Sequence, residues 1–419
     1  MAIFKSADIL LPKGADYSKW SVVACDQFTS QPEYWQSAAE YVGDAPSTLK
    51  MVFPEVYLNE DGAEKRIADI NAEMQKYLDE GLFEEYKSSL IYVERTQPNG
   101  KVRCGIMGAI DLDAYDYNKG SQSPIRATEG TILSRIPPRK KVRINAPLEL
   151  PHILMLLDDR EKAVVEPLAA KKDSFEKLYD FDLMANSGHI AGYLIDEETT
   201  KKILALVEKF EDKQGFEAKY GEKDKGVLAI AVGDGNHSLA TAKSCWEEIR
   251  KGLSEDEQKT HPARFALVEL ENIHSEALEF EPIQRVIFGV DAQKLMDALM
   301  EYYPSASYED NGGQEIRYVY GDKSGAVYVK DAPSNLPVGT LQKFLDEYLE
   351  KNGGEIDYIH GDDVVNKLAQ EQDTIGFMVD RMEKNDLFET VIKDGALPRK
   401  TFSMGEAQDK RFYLECKRI

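Results

Sequence analysis

The stretch that decides the fold of this chain is Val227-Leu-Ala-Ile-Ala-Val-Gly-Asp-Gly-Asn-His-Ser-Leu-Ala-Thr-Ala-Lys243. Its first six residues are all apolar, which is typical of a buried strand. Residues 233–237 break that pattern. Apolar residues then recur at helical spacing, as one face of a helix requires: Leu239, Ala242, Trp246 and Ile249. The stretch therefore predicts a strand, a glycine-rich turn and a helix.

A turn of this kind directs backbone N–H groups and the positive end of a helix toward one point, which favours an anion. Two chemically active side chains lie in the same turn. We expect Asp234 to hold a metal ion and take part in catalysis, and His237 to carry a proton. The alternative is an ordinary tight turn, in which Asp234 bonds its own backbone and His237 caps the helix. A dinucleotide-binding fingerprint is rejected because Ser238 stands where its third glycine would be.

Composition narrows the classes of function. With 419 residues, the chain is long enough for two or three domains, and a hydrophobic content of 42% predicts an extensive core. The net charge of −23 argues against nucleic-acid or anionic-membrane partners, which need a positive field. The four cysteines are widely spaced and form no C-x-x-C pair, so neither a zinc site nor a disulfide framework is expected. Together with the lack of a long apolar segment, this favours a cytoplasmic protein that spans no membrane.

The remaining pattern predicts an α+β (mixed α/β) fold, with mixed sheets, hairpins and packed helices. Pro98-Asn99-Gly100 joins two strand-like segments at 90–96 and 102–111 and is a strong hairpin signal. A closing hairpin is expected from 401–404 and 411–415. Helices are expected at 63–80, 199–210, 292–303 and 338–351. We place a boundary near 285, giving an α/β core at 1–285 with the central motif and a C-terminal α+β part at 286–419.

Several segments together resemble the prokaryotic family known as domain of unknown function 1015 (DUF1015). That family carries an Asp-Gly-His-His-Arg-type motif after a buried strand, and 234–238 match it here. Its His-Glu-x-Thr element matches Thr128-Glu-Gly-Thr131, and its Pro-Pro-Lys-Ser-Thr segment matches 397–401. The first motif histidine is Asn236 and the motif arginine is Ser238, so this chain is identified as a divergent member.

The central motif also resembles, more loosely, the phosphate-binding turn of the ParB/sulfiredoxin-like fold. That resemblance implies a core of this type around 227–250 and raises the expectation of nucleotide binding, as an analogy of fold alone. On this basis Gly233, Gly235, Asn236 and Ser238 are predicted to contact a nucleotide cofactor.

Residues outside the turn add to the predicted site. The resemblance singles out Glu129 as a catalytic base or Mg²⁺ ligand; without it, a solvated loop acid would be the default. Arg126, three residues earlier, and Lys400 are predicted to contact the cofactor, although Lys400 also fits a polar strand entry. Five basic residues at 135–143 either bind a phosphorylated ligand or pair with acids elsewhere.

These observations favour an enzyme, a nucleotide-dependent phosphotransferase that acts on a small polar metabolite with ATP or ADP and Mg²⁺. A non-catalytic protein that senses a nucleotide or another small ligand in the same pocket is the first alternative. A metal-dependent hydrolase that uses Asp234 and His237 is the second, although a third histidine at suitable spacing is lacking. All three predict a small-molecule partner.

Overall fold

The computed structural model describes residues 2–58 and 61–419. By the contacts between its residues, the chain divides into two compact units. The first comprises Met1–Ala127, Thr131–Leu278 and Gly405–Ile419, and the second comprises Thr128–Gly130 and Glu279–Met404. The chain thus passes from the first unit to the second at 278–279, and the two domains expected on either side of residue 285 stay a prediction. Two short segments do not follow the order of the chain. Thr128–Gly130 belongs to the second unit, and Gly405–Ile419 belongs to the first. The sequence did not indicate either assignment, because the units are defined by contacts between residues.

The described residues of the first unit contain a ten-stranded mixed sheet. Its strands follow one another in space in this order: Glu176–Asp182, His189–Leu194, Ile91–Thr96, Val102–Asp111, Phe265–Asn272, Leu154–Leu157, Ile230–Asp234, Ile125–Arg126 and Tyr115–Asp116. The tenth strand, Phe4–Lys5, pairs antiparallel with Val102–Asp111. The hairpin predicted at Asn99-Gly100 is confirmed, since the two strands beside it pair antiparallel.

The strand Ile230–Asp234 is internal to this sheet, as its apolar sequence predicts. It pairs antiparallel with Leu154–Leu157 on one side and parallel with Ile125–Arg126 on the other. Residues 228–232 are all buried, because an internal strand presents both faces to packed side chains. The strand continues through Gly233 to Asp234, so the turn itself is shorter than the sequence indicates.

The helix that follows spans Asn236–Ile249 and buries the predicted stripe of Leu239, Ala242 and Trp246. It packs against the helix Ile136–Arg143. The remaining α-helices of this unit are Tyr17–Trp20, Pro32–Val42, Ala63–Asp79, Glu197–Glu208, Lys213–Tyr220 and Glu255–Thr260.

Three two-stranded pairings complete the first unit. They are Ala7–Pro12 with Phe83–Ser89, Val22–Val23 with Phe412–Tyr413, and Leu148–Glu149 with Lys417–Arg418. The predicted closing hairpin is therefore wrong. Its second strand pairs with Val22–Val23, whereas its first strand, Phe402–Met404, pairs with Phe280–Phe288 in the second unit. Two strand-like segments that are near in sequence pair only if their edges also meet, and here the intervening residues carry the chain from one unit to the other.

The second unit holds a seven-stranded sheet whose strand pairs are all antiparallel among the described residues. Its order is Ala306–Ser307, Lys323–Val329, Gln314–Tyr320, Thr374–Met378, Phe280–Phe288 and Glu355–His360, with Phe402–Met404 on Phe280–Phe288. Its α-helices are Ala292–Tyr302, Pro337–Asn352, Asp362–Leu368 and Lys384–Asp394.

These elements confirm the α+β class with mixed sheets, hairpins and packed helices. The narrower expectation of a ParB/sulfiredoxin-like core around 227–250 stays a prediction. Within the described residues, no helix combines the length and the apolar character that crossing a membrane requires.

Candidate functional site

The turn between the central strand and its helix depends on one glycine in a left-handed conformation. Gly235 has a φ of +82° and stands immediately before the helix. A Cβ atom added there would lie 3.0 Å from Cγ1 of Ile153, so both conformation and space favour glycine. Gly233, by contrast, lies within the strand, where an added Cβ would come 2.9 Å from Cγ of Leu156. Close packing of strands accounts for Gly233 without a ligand.

Asp234 ends the strand with its carboxylate shared between two partners. Its Oδ1 accepts a hydrogen bond of 2.9 Å from the N–H of Gly235, and its Oδ2 lies 3.2 Å from Nζ of Lys410. The two side chains are 24% and 12% exposed, so this ion pair is largely removed from solvent. Asp234 therefore accepts a hydrogen bond from the backbone of its own turn, as the simpler interpretation expects. It also pairs with Lys410, a contact that the sequence did not predict. Nothing in the sequence links Lys410 to the motif, because it lies far along the chain.

His237 and Asn236 occupy the first turn of the helix. Nε2 of His237 accepts a hydrogen bond of 3.3 Å from the backbone N–H of Ile132. Its carbonyl accepts a hydrogen bond of 2.8 Å from the hydroxyl of Thr241, one helical turn later. The first contact requires a lone pair on Nε2 and so favours a neutral ring protonated at Nδ1. His237 thereby ties the 131–132 segment to the helix, and it must release Ile132 before Nε2 can take a proton from a substrate.

Ser238 joins a chain of side-chain contacts that reaches the C-terminal segment. Its Oγ lies 3.2 Å from Nε2 of His152, whose Nδ1 lies 2.8 Å from the hydroxyl of Tyr413. That hydroxyl in turn donates to Sγ of Cys25 at 3.0 Å. His152 is only 5% exposed. The sequence gave no sign of the contact between His152 and Ser238, because the two residues are far apart in the chain.

Two ionisable groups, the Cys25 thiol that ends this series of contacts and the neighbouring Asp26 carboxylate, have shifted pKa values. Burial raises the pKa of the Cys25 thiol to about 12, so the thiol stays protonated. Burial also acts to raise the pKa of Asp26, but the charge of His152 and a hydrogen bond from Gln27 bring it below its ordinary value. Oδ2 of Asp26 lies 3.8 Å from Nε2 of His152, so this carboxylate balances any positive charge on the imidazole.

Arg126 is used within the fold. Its guanidinium is 2% exposed and donates to the carbonyl oxygens of Ser123, Gly226 and Val227 at 2.7, 2.5 and 3.1 Å. Burial lowers its pKa to about 10. These bonds hold the chain that enters the central strand, at the end away from Gly235. The predicted cofactor contact of Arg126 stays a prediction and gains nothing from its observed partners.

The basic run at 135–143 pairs with acids, as the simpler alternative expects. Arg139 pairs with Glu55 and Arg143 with Glu149, in contacts that are both largely buried. In the same run, Lys140 lies 2.6 Å from Glu248. Because these three cations already have partners of opposite charge, they offer little free charge to a phosphorylated ligand.

The structure brings together two segments that the family resemblance singled out separately. Residue 129 forms a parallel bridge with residue 397, and the N–H of Leu397 donates to the carbonyl of Thr128 at 2.7 Å. Glu129 and the 397–401 segment therefore lie side by side in the second unit. Lys400 is exposed and has a φ of +57°, a conformation that side chains other than glycine adopt at a cost and that often occurs at functional sites.

A buried arginine, Arg285, contacts the backbone of the 397–401 segment. Arg285 is fully buried, and its guanidinium donates to Oε1 of Gln342 and to the carbonyl of Arg399, both at 3.2 Å. Burial lowers its pKa to about 10, against the opposing charges of Tyr358 and Glu129. Arg399 donates from Nε to the hydroxyl of Tyr358 at 2.7 Å. Glu129 thus has strong positive charge near it within its own unit, and sequence reasoning missed Arg285 entirely.

A metal ion at the 233–238 turn would take some of its coordinating oxygen atoms from a bound ligand or from water. Within residues 2–58 and 61–419, no group of three or more histidine, cysteine, aspartate or glutamate side chains is arranged to bind one. Mg²⁺ usually takes one or two carboxylates together with phosphate oxygens and waters. Asp234 fits that pattern as a single protein ligand, provided that Lys410 moves aside.

Residues 10–348 match the model of a family described as a protein of unknown function, DUF1015. The chain belongs to this family. The matched region contains Glu129 and the whole 233–238 motif and ends before Lys400 and Lys410. In this DUF1015 chain, Lys410 places a cation next to the motif. No curated protein matches the chain.

Some solved structures share a distant similarity with this DUF1015 protein. A free serine kinase in complex with AMP is 13% identical, with a TM-score of 0.39, and the match covers 75% of this chain and 92% of that one. SbnI with a C-terminal truncation from Staphylococcus aureus is 11% identical, with a TM-score of 0.37, over 71% and 83% of the two chains. A conserved hypothetical protein from Pyrococcus furiosus is 11% identical, with a TM-score of 0.36, over 76% and 96%.

Proposed function

We propose that this protein is a nucleotide-dependent phosphotransferase that transfers a phosphoryl group to a hydroxyl of a small polar metabolite. One observation carries the proposal. An internal strand ends in a carboxylate, turns through Gly235 and leads directly into a 14-residue helix, with the ammonium of Lys410 3.2 Å from that carboxylate. Positioning and neutralisation of charge are what phosphoryl transfer chiefly needs from a protein, and this turn supplies groups for both.

Different residues at the turn would bind the phosphates and the metal ion. The start of the helix at Asn236 and Ser238 favours the negative charge of a phosphate through the helix dipole. Lys410 adds a mobile point charge of the kind that binds phosphate oxygens. Asp234 would be the protein ligand of Mg²⁺, which would neutralise charge on the phosphates of ATP or ADP. If Asp234 held a metal ion instead of Lys410, the ammonium of Lys410 would be free to contact a phosphate.

The acceptor hydroxyl needs a group that takes its proton. His237 lies in the first turn of the same helix, and its Nε2 becomes available once the contact with Ile132 opens. Glu129 and Lys400 belong to the second unit, and their predicted roles as a catalytic base and a cofactor contact stay predictions.

Calorimetry and product analysis test this proposal together. The purified chain is titrated with ATP, ADP and AMP, with and without Mg²⁺, and then incubated with a panel of hydroxylated metabolites while ³¹P NMR follows new phosphate esters. We expect Mg²⁺-dependent binding and a new ester. Binding without any ester would favour the alternative of a nucleotide sensor, and no binding of any nucleotide would overturn both.

Lys410→Met and Asp234→Asn should each weaken the binding of Mg²⁺–ATP at least tenfold. Lys393→Met is the matched control, since Lys393 is a helical surface lysine that pairs with Glu389 at 3.0 Å in the second unit.

A further inference from the structure

The first unit contains a cavity of about 140 Å³ beside the helix that follows the motif. Ser238 and Thr241 of that helix line it, together with residues from the helix Ile136–Arg143 and the 51–58 segment. Ser238 follows Gly235 by three residues, which is about 4.5 Å along a helix axis at a rise of 1.5 Å per residue. A molecule in the cavity therefore lies next to the turn to which we assign the nucleotide.

Most of the wall is apolar. The side chains that form it include Met51, Phe53, Met74, Val142, Leu148 and Leu267. In another protein, an apolar cavity of about 150 Å³ stays dry and binds benzene. A cavity of similar size and character favours the apolar part of a small ligand in the same way.

One end of the cavity is polar. Ser238, His152, Tyr413 and Cys25 all line it, and they are the four members of the contact chain from Oγ of Ser238 to Sγ of Cys25. A hydroxyl can both donate and accept, so a ligand hydroxyl can join this chain beside Ser238. A few polar groups at one end of an apolar pocket fix the orientation of a ligand.

The charges around the cavity select against a charged ligand. Arg139 is paired with Glu55, and Arg143 with Glu149. Glu149 also accepts from the N–H of Leu267 at 2.8 Å. A carboxylate or an ammonium entering the cavity would have to separate one of these largely buried pairs, which is costly. A neutral ligand leaves both pairs intact.

We propose that this cavity binds the acceptor substrate, and that this small metabolite is an uncharged alcohol, which is polar at the hydroxyl that it places at the Ser238–His152 end and apolar in the rest of its body. The role of the alcohol as acceptor rests on the proposed phosphotransferase function. The assignment of the cavity to an uncharged alcohol rests on the walls, the polar end and the paired charges alone.

Methyl NMR on the whole chain tests the assignment, because two methionines line the cavity. Protein labelled with ¹³C at the methionine methyls is titrated with benzyl alcohol, with toluene as the match that lacks the hydroxyl and benzoate as the charged match. We expect the Met51 and Met74 signals to shift, while those of Met378 and Met382 in the second unit stay in place. Benzyl alcohol should bind more tightly than either match.

Two variants locate the binding. Ala146 lines the cavity, so Ala146→Leu should weaken benzyl alcohol binding at least tenfold, whereas Ala170→Leu at an exposed alanine should not. Ser238→Ala should reduce the preference for benzyl alcohol over toluene about threefold to tenfold, as expected for one hydrogen bond. Unchanged signals of Met107 and Met184, which lie in the first unit and do not line the cavity, confirm that each variant is folded.

The outcomes separate the two proposals. Tighter binding of benzoate, equal binding of toluene and benzyl alcohol, or unchanged binding in Ala146→Leu would overturn the cavity assignment, even if nucleotides bind at the turn. Binding of benzyl alcohol as expected, in a protein that binds no nucleotide, would leave the alcohol site standing and reject the phosphotransferase.

Discussion

Nζ of Lys410 lies 3.2 Å from Oδ2 of Asp234, in a contact that is largely shielded from solvent. The lysine comes from the C-terminal segment, which belongs to the first unit although it follows the second unit in sequence. The fold thus brings a cation to the motif from this distant segment.

The pair should contribute modestly to stability and strongly to the binding of phosphates. In a double-mutant cycle of Lys410→Met and Asp234→Asn, we expect a coupling free energy of about 1 kcal/mol in urea unfolding, because the pair is only partly exposed. Lys410→Met should weaken ATP binding much more than adenosine binding, as measured by calorimetry. Equal losses for both ligands would mean that Lys410 does not contact phosphate.

His237→Asn should abolish phosphoryl transfer while leaving the unfolding free energy nearly unchanged. The imidazole is partly exposed and accepts a 3.3 Å hydrogen bond from a backbone N–H, and a partly exposed side chain contributes little to the core. Initial rates by ³¹P NMR and a urea titration measure the two quantities. His360→Asn, at an exposed histidine of the second unit, is the control. A large loss of stability with retained activity would support a purely structural role.

Substitution at Gly235 should cost stability as well as ligand binding. Gly235→Ala places a side chain at a φ of +82° and 3.0 Å from Ile153. Gly120→Ala is the matched control, because Gly120 has a φ of +78° and no atom within 4 Å of the added Cβ. Strain of this conformation costs about 1–3 kcal/mol. We expect both variants to lose stability and Gly235→Ala to lose more. Only Gly235→Ala should also lose nucleotide affinity.

Arg126→Gln separates the structural role of this arginine from its predicted contact with a cofactor. Its guanidinium donates to three backbone carbonyls in a buried setting, and hydrogen bonds of charged groups contribute about 1.5–3 kcal/mol each. We expect a loss of at least about 2 kcal/mol in unfolding free energy with unchanged ATP affinity. Arg135→Gln, at an exposed position, is the control for the change of charge. A selective loss of ATP affinity would restore Arg126 to the binding site.

Glu271 should make stability depend on pH. Burial raises its pKa to about 8, with Arg103 opposing and Glu269 adding to the shift. The folded protein therefore holds a proton that the unfolded chain releases near pH 4.5. The resulting stabilisation is complete below that pH and is lost as the pH rises toward 8. Urea unfolding from pH 5 to 9 should show a smaller decline for Glu271→Gln than for the wild type. Parallel declines would contradict the raised pKa.

The sequence by itself determined the local architecture around the site. Six apolar residues before Gly233 predicted an internal strand, and the spacing of Leu239, Ala242 and Trp246 predicted the buried face of the next helix. Both are confirmed, because a continuous apolar run and a helical period are local properties that burial imposes on the chain. The α+β class followed from the same patterns, and the family followed from the motif residues.

Only the tertiary structure decided which residues share a site. Lys410, His152 and Tyr413 meet the motif through contacts between residues that are far apart in sequence, and no local pattern encodes such a meeting. The same holds for the bridge between Glu129 and Leu397. The predicted closing hairpin was wrong because its two strands, although close in sequence, pair with strands of different sheets. Local sequence sets which element forms, but the partner of each charge and each strand edge depends on how the whole chain packs.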